Sequence, residues 1–205
     1  MVKRNQTRAL VIMGLMTAIL IIFSFTPIGT IPIGPLSITL NIIPVAIAAI
    51  ALGPKGGLAM GSVFGILSFL QCIGIGVPSG MGAMLFSINP FLAFVQRFVP
   101  RALDGLLVGY LFRFCTKKMA PESAVFIAGF ASAFLNTLLF MSALVLLFGN
   151  TEYVQSLMAG RNVLVFICAF VGINAVVEMI ASTIVTGVVG AALYKAKTLP
   201  LSEQR

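Results

Sequence analysis

From Val163 to Leu193 the chain runs through predominantly apolar residues with one charge among them, Glu178. A hydrocarbon core of ~30 Å is crossed by about 20 helical residues whose backbone must satisfy its own hydrogen bonds, so this run reads as a membrane-spanning helix. A carboxylate at the centre of such a helix costs roughly 3 kcal/mol and persists where it faces a polar cavity or a partner. Glu178 therefore marks an intramembrane polar site.

The remainder of the chain obeys the same constraint. With 205 residues, 60% of them hydrophobic and 9% charged, and a mean hydropathy of +1.12, it reads as one integral membrane domain of the all-α class, residues 1–205. The formal charge of +8 is dispersed at segment ends rather than gathered in a solvated patch, which points to membrane topology and not to nucleic acid. The absence of histidine removes Ser-His and Cys-His nucleophile pairs and His-ligated metal centres. Cys72, Cys115 and Cys168 lack CxxC spacing and read as packing residues, so no metal or other cofactor is expected. Basic residues before the first apolar stretch resemble the start of a signal peptide, but no small-x-small cleavage pattern follows Phe25, and the segment reads as a retained span.

Six spans are predicted, at about residues 7–25, 39–52, 58–73, 89–114, 122–148 and 162–196. Pro27, Gly29, Pro32, Gly34 and Pro35 end the first and make Thr26–Ser37 an ordered loop. Gly53-Pro54-Lys55-Gly56-Gly57 forms a tight turn between the second and third. A second Gly/Pro/Ser loop covers about 74–87, Pro90 suits the first turn of the fourth helix, and a short polar loop with Asn150, Glu152 and Arg161 separates the last two spans. No internal repeat is visible, which disfavours an inverted-repeat carrier. With both termini cytoplasmic, the inner side collects Lys3, Arg4, Arg8, Lys55, Arg113, Lys117, Lys118, Lys195, Lys197 and Arg205 against Arg161 outside, as the positive-inside rule demands. The proline-rich loops then face out.

Arg97, Arg101 and Asp104 fall inside the fourth span on one helix face. Arg97 lies roughly 14 Å along the helix at ~1.5 Å per residue, too deep for easy snorkelling. The simplest reading pairs Arg101 with Asp104 as a lock between helices. It leaves the Arg97 guanidinium to fork onto a ligand carboxylate or phosphate, or else to be neutralised by Glu178. Together with Glu178 these intramembrane charges sum to zero, so charge alone does not demand an anionic ligand. Asn174 lies one turn from Glu178 on the same face, and the pair is suited to ligand hydroxyls. Thr39, Asn41, Gln71, Asn89 and Asn136 are further polar residues at membrane depth, each with interhelical hydrogen bonding as the plain alternative. Gly57, Gly61 and Gly65 form consecutive GxxxG steps suited to packing inside the bundle, whereas Gly14 and Ala18 sit on a uniformly apolar face that suits an intermolecular helix contact.

Several of these segments, in order along nearly the whole chain, carry a family resemblance. They are the Gly14/Ala18 pair, the Pro/Gly loop before Leu36-Ser37-Ile38-Thr39, the Leu52-Gly53-Pro54-Lys55-Gly56-Gly57 turn with Phe64-Gly65 after it, and Pro100-Arg101 before Gly105. Together they are similar to the substrate-binding S component of energy-coupling factor (ECF) vitamin transporters. The Thr26-Pro27-Ile28-Gly29, Ile31-Pro32-Ile33-Gly34-Pro35 and Phe64-Gly65-Ile66-Leu67-Ser68 segments most resemble its pantothenate-specific members. The resemblance implies a six-helix bundle in a bacterial cytoplasmic membrane that takes a vitamin from outside and docks on a membrane coupling subunit, the T component, bearing two ATP-binding subunits. It also implies that the first-helix docking motif, Ala-x-x-x-Ala in the family, falls on Gly14 and Ala18, that Thr26–Ser37 closes over the ligand, and that Asn136, Asn174 and Glu178 line the pocket.

Pantothenate carries a carboxylate, two hydroxyls and an amide, which match Arg97, Asn174 with Glu178, and Asn136; Thr39, Asn41 and Gln71 complete the candidate set. Pyridoxine, riboflavin or a related precursor is the alternative ligand and needs no guanidinium. The opposing class is an intramembrane enzyme using Glu178 and Arg97, but no activated nucleophile, metal-ligand cluster or phosphate loop accompanies them. The Gly53-Pro54-Lys55-Gly56-Gly57 stretch lacks the Gly-x4-Gly-Lys-Ser/Thr pattern, so any ATP is hydrolysed by a partner.

Overall fold

The apolar runs form helices, as a backbone without water requires. The computed structural model describes residues 2–33 and 36–195; Gly34, Pro35, Ala196, Lys197 and Arg205, which carry part of the loop, span and charge expectations, lie outside the described residues. Helices α1 (Val2–Phe25), α2 (Ile42–Leu70), α3 (Gly80–Ile88), α4 (Pro90–Cys115), α5 (Pro121–Phe148), α6 (Glu152–Met158) and α7 (Val163–Lys195) follow in order, with strands β1 (Thr30–Ile33) and β2 (Leu36–Thr39) between α1 and α2. Gln6–Phe25, Ile42–Ile73, Pro121–Phe148 and Asn174–Lys195 are each long and apolar enough to cross a membrane. Helix α4 is of similar length but carries Arg97, Arg101 and Asp104 in its middle.

Some segments depart from the sequence-based expectations. The ordered loop expected at Thr26–Ser37 contains strands that sequence reading did not anticipate: β1 and β2 pair antiparallel with Thr30 opposite Thr39 and Ile33 opposite Leu36. The β-branched residues of Thr-Ile-Pro-Ile and Leu-Ser-Ile-Thr favour extended backbone, and Pro32 is tolerated because a two-stranded ribbon is all edge. Thr39 consequently ends a strand instead of opening the second span. The expected loop at 74–87 holds all of α3 but its last residue, because Ser79 Oγ accepts the Gly82 N–H at 3.1 Å, an N-cap that outweighs the glycine content. The polar loop before α7 likewise contains α6, capped by Thr151.

Gly53 takes φ 75° and ψ −167° inside α2, a left-handed conformation that glycine adopts without strain. A β-carbon added at Gly57 would lie 2.8 Å from Ala49 Cβ, although eight residues of straight helix span about 12 Å. The chain therefore doubles back at Gly53-Pro54, and the arms 42–52 and 54–70 lie side by side. The second arm packs on α4 through glycine: Gly57, Gly61 and Gly65 face the Gly105 carbonyl, the Arg101 carbonyl and Phe98 Cα, and Gly105 faces the Gly57 carbonyl in return. Such contact of backbone on backbone is what small residues at a membrane-helix seam permit.

Ile12, Ala51, Cys115, Ala124 and Leu193 share one apolar cluster, which brings the early part of α1, the α2 bend, the end of α4, the start of α5 and the end of α7 together. Lys55, Arg113, Lys117, Lys118 and Lys195 lie at this end. The hairpin and α3 lie at the other, where Val77 N–H and Gln71 Nε2 both donate to the Ser24 carbonyl.

Candidate functional site

At the hairpin end the helices enclose a cavity of about 80 Å³ with polar residues from every side. Glu178, 5% exposed, enters it from the middle of α7. Its Oε1 accepts the backbone N–H of Thr39 at 2.6 Å. The carboxylate thus holds the end of β2 down over the cavity. Thr30 and Thr39, opposite each other in the strand register, form the roof. Asn41 does not line the cavity; it braces the hairpin from behind, its N–H donating to Thr39 Oγ1 at 3.2 Å and its Nδ2 to Thr30 Oγ1 at 3.5 Å.

Arg97 and Arg101 come from α4 and are nearly buried. Helical side chains lean toward the helix N-terminus, which carries both guanidinium groups toward the hairpin end. Arg97 Nη2 donates to Ser79 Oγ at 3.0 Å, and Arg101 Nη1 to the Arg97 carbonyl at 3.0 Å. The Arg101 guanidinium carbon lies 4.7 Å from the Phe64 ring centroid and 5.0 Å from that of Phe140, and the Arg97 carbon lies 5.1 Å from Phe140. Aromatic faces beneath the cations fix their orientation by cation–π attraction. The Nε of each arginine is buried without a hydrogen-bond partner.

The expected lock between Arg101 and Asp104 is not formed. Asp104 Oδ2 accepts from Ser132 Oγ at 3.2 Å, and its Oδ1 has no hydrogen-bond partner. The N-terminal lean explains the difference, because it draws the long Arg101 side chain away from a residue that follows it in sequence. Arg101, which the sequence reading pairs with Asp104 and leaves out of the candidate set, is thereby a cavity residue, and the same N-terminal lean is the signal that could have placed it there. The charges that cancel along the sequence divide in space: Arg97, Arg101 and Glu178 line the cavity and Asp104 does not.

The other expected residues also converge. Gln71 lines the cavity while its Nε2 donates to the Ser24 carbonyl at 3.0 Å. Asn136 lines it with Oδ1 unpartnered, and Asn174 lines it one turn before Glu178. Asn89 instead caps α4, accepting the Leu92 N–H at 3.1 Å. Ser79, Phe64 and Phe140 were not anticipated: Ser79 belongs to an unanticipated helix cap, and nothing in an apolar helix marks one phenylalanine above another. On α1, Gly14 and Ala18 face outward, and a β-carbon on Gly14 would meet nothing within 4 Å, whereas Met16 and Leu20 are buried and pack the helix onto the bundle.

These contacts define a multi-pass helical membrane protein with a polar, cation-lined cavity beneath a β-hairpin. The family model for the ECF transporter substrate-specific component matches residues 8–190, and the chain belongs to that family. It is 26% identical over 208 residues to the pantothenic acid transporter PanT of Lactococcus lactis subsp. cremoris, an alignment covering 95% of this chain and 98% of that protein. It is 28% identical over 211 residues to the pantothenate transporter PanT of Leuconostoc mesenteroides subsp. mesenteroides, covering 98% and 97%. The family and both relatives are transporters.

Proposed function

We propose that the chain is the pantothenate-binding S component of an ECF importer, working with a T component and two ATP-binding subunits. The observation that carries the ligand class is the pair of nearly buried arginines with unpartnered Nε atoms on a cavity wall that offers one carboxylate in return. Buried guanidinium groups held on aromatic faces suit a planar anion such as a carboxylate. Asn136 supplies a partner for the amide. Asn174 and the remaining oxygen of Glu178 receive the hydroxyls.

Small-ligand pockets hold about 300–1,000 Å³, well above the 80 Å³ found here. Pantothenate therefore enters by lifting the hairpin and expanding the cavity, and the Thr39–Glu178 bond is the contact that opening breaks. In the bilayer, α1, the two arms of α2, α4, α5 and α7 form a six-helix bundle, in which the short arm 42–52 reaches about halfway across at ~1.5 Å per residue. The lysine-rich end and both termini face the cytoplasm, and the hairpin faces out. Gly14 and Ala18, on the outward face of α1, meet the T component.

The test is thermal unfolding of the purified chain in detergent against the B vitamins. A specific ligand at a hundred times its dissociation constant stabilises by ~2.7 kcal/mol. Pantothenate is expected to raise the midpoint and riboflavin and pyridoxine are not. A shift with one of those two alone would reassign the substrate.

A further inference from the structure

On the outer side of α4 and α5 lies an apolar groove of about 510 Å³ that shares no lining residue with the polar cavity. Leu107, Tyr110 and Phe114 form one wall, Phe130 and Phe134 the other, and Leu111 and Ala131 lie between them. The Phe130 and Phe134 rings are stacked 6.2 Å apart at 8°, so that wall is a flat rail, and Ala131 is small enough to leave a floor below it. Any convex apolar face of a membrane protein is wetted by lipid. This one is a shallow groove, open along its outer side, whose volume of about 510 Å³ is enough to seat part of an extended acyl chain.

The groove also ends on charge. Phe114 is its last residue on α4, and Lys118 Nζ sits 4.6 Å from the centroid of that ring. Lys117 is exposed beside it. Helix α5 begins beside it at Pro121, where the Ser123 and Ala124 N–H groups both donate to the Ala120 carbonyl and Glu122 is the one acidic residue of the first turn. Ammonium groups and the positive end of a helix dipole attract phosphate. We propose that this groove seats an acyl chain of an anionic phospholipid, with the headgroup phosphate held by Lys118 and Lys117. Charge complementarity selects this occupant: a second copy of the chain would bring the same cations to the same place.

The experiment is native mass spectrometry and thermal unfolding of the full-length chain titrated with phosphatidylglycerol or phosphatidylcholine of identical acyl chains. Glycerol phosphate serves as the headgroup without the tail. Phosphatidylglycerol is expected to bind and stabilise, phosphatidylcholine to bind roughly tenfold or more weakly, and glycerol phosphate to do nothing at the same concentration. The double variant Lys117→Glu with Lys118→Glu should erase the preference between the lipids, and Ala131→Leu, which fills the floor without touching charge, should weaken phosphatidylglycerol while leaving the pantothenate shift intact. Equal binding of the two lipids by the wild type would overturn the proposal. So would an equal response to glycerol phosphate, or a dimer that disappears with Ala131→Leu.

Discussion

Removing the Glu178 carboxylate should release the hairpin while leaving the bundle intact. The Thr39 N–H to Glu178 Oε1 bond, at 2.6 Å, is a hydrogen bond to a charged group and joins positions 139 residues apart. Such bonds contribute about 1.5–3 kcal/mol net. If this bond limits local opening, Glu178→Ala should speed amide exchange at Thr30, Ile31, Ile38 and Thr39 by roughly 10- to 150-fold, since 1.4 kcal/mol is a factor of about ten. Glu178→Gln keeps an oxygen acceptor but only a neutral bond, so exchange should rise by about tenfold or less. Hydrogen exchange read by mass spectrometry on peptides spanning 26–41 measures this, with the glycine seam of α2 and α4 as an internal reference. Unchanged hairpin exchange in Glu178→Ala would mean that the bond does not hold the roof. Faster exchange everywhere would mean that Glu178 supports the bundle and not the hairpin.

Other perturbations test other contacts. Arg97→Ala should weaken pantothenate binding by about 2 kcal/mol or more, and Arg97→Lys should restore little because the planar fork is lost; titration calorimetry reads both. Gly14→Leu or Ala18→Leu should abolish vitamin accumulation in cells while leaving binding to the purified chain unchanged, because both residues are exposed on α1 and, among the described residues, a β-carbon on Gly14 meets nothing within 4 Å. Gly57→Ala drives a methyl into the Gly105 carbonyl and should lower thermal stability by about 1–3 kcal/mol, whereas Gly14→Ala should change it by less than about 0.5 kcal/mol.

Much of this architecture was legible because membrane helices leave few alternatives. The apolar runs at 7–25, 122–148 and 162–196 fall on helices α1, α5 and α7, the first of which starts five residues earlier at Val2, and Gly53-Pro54 stands where the chain reverses in α2. The hairpin was missed because Pro and Gly signal irregular backbone in general, while the β-branched alternation that sets its strands is only four residues long on each side. Helix α3 was missed because a single serine cap decided its start. In the cavity, the intramembrane polar residues were visible as costs that had to be compensated. What the sequence could not say was how the charges pair, since Arg101 and Asp104 are neighbours along the helix but reach toward different partners. The place of Asn41 behind the hairpin depended on that hairpin existing.

The central claim is that Arg97 and Arg101 form a carboxylate-recognising wall. The most direct measurement compares the affinity of the purified protein for pantothenate and for pantothenol, in which a primary alcohol replaces the carboxylate and every other group is retained. The account predicts that wild type prefers pantothenate by roughly 30-fold or more, equivalent to about 2 kcal/mol for a buried charged pair, and that Arg101→Ala largely removes the preference. Equal affinity of the wild type for the two compounds would contradict it.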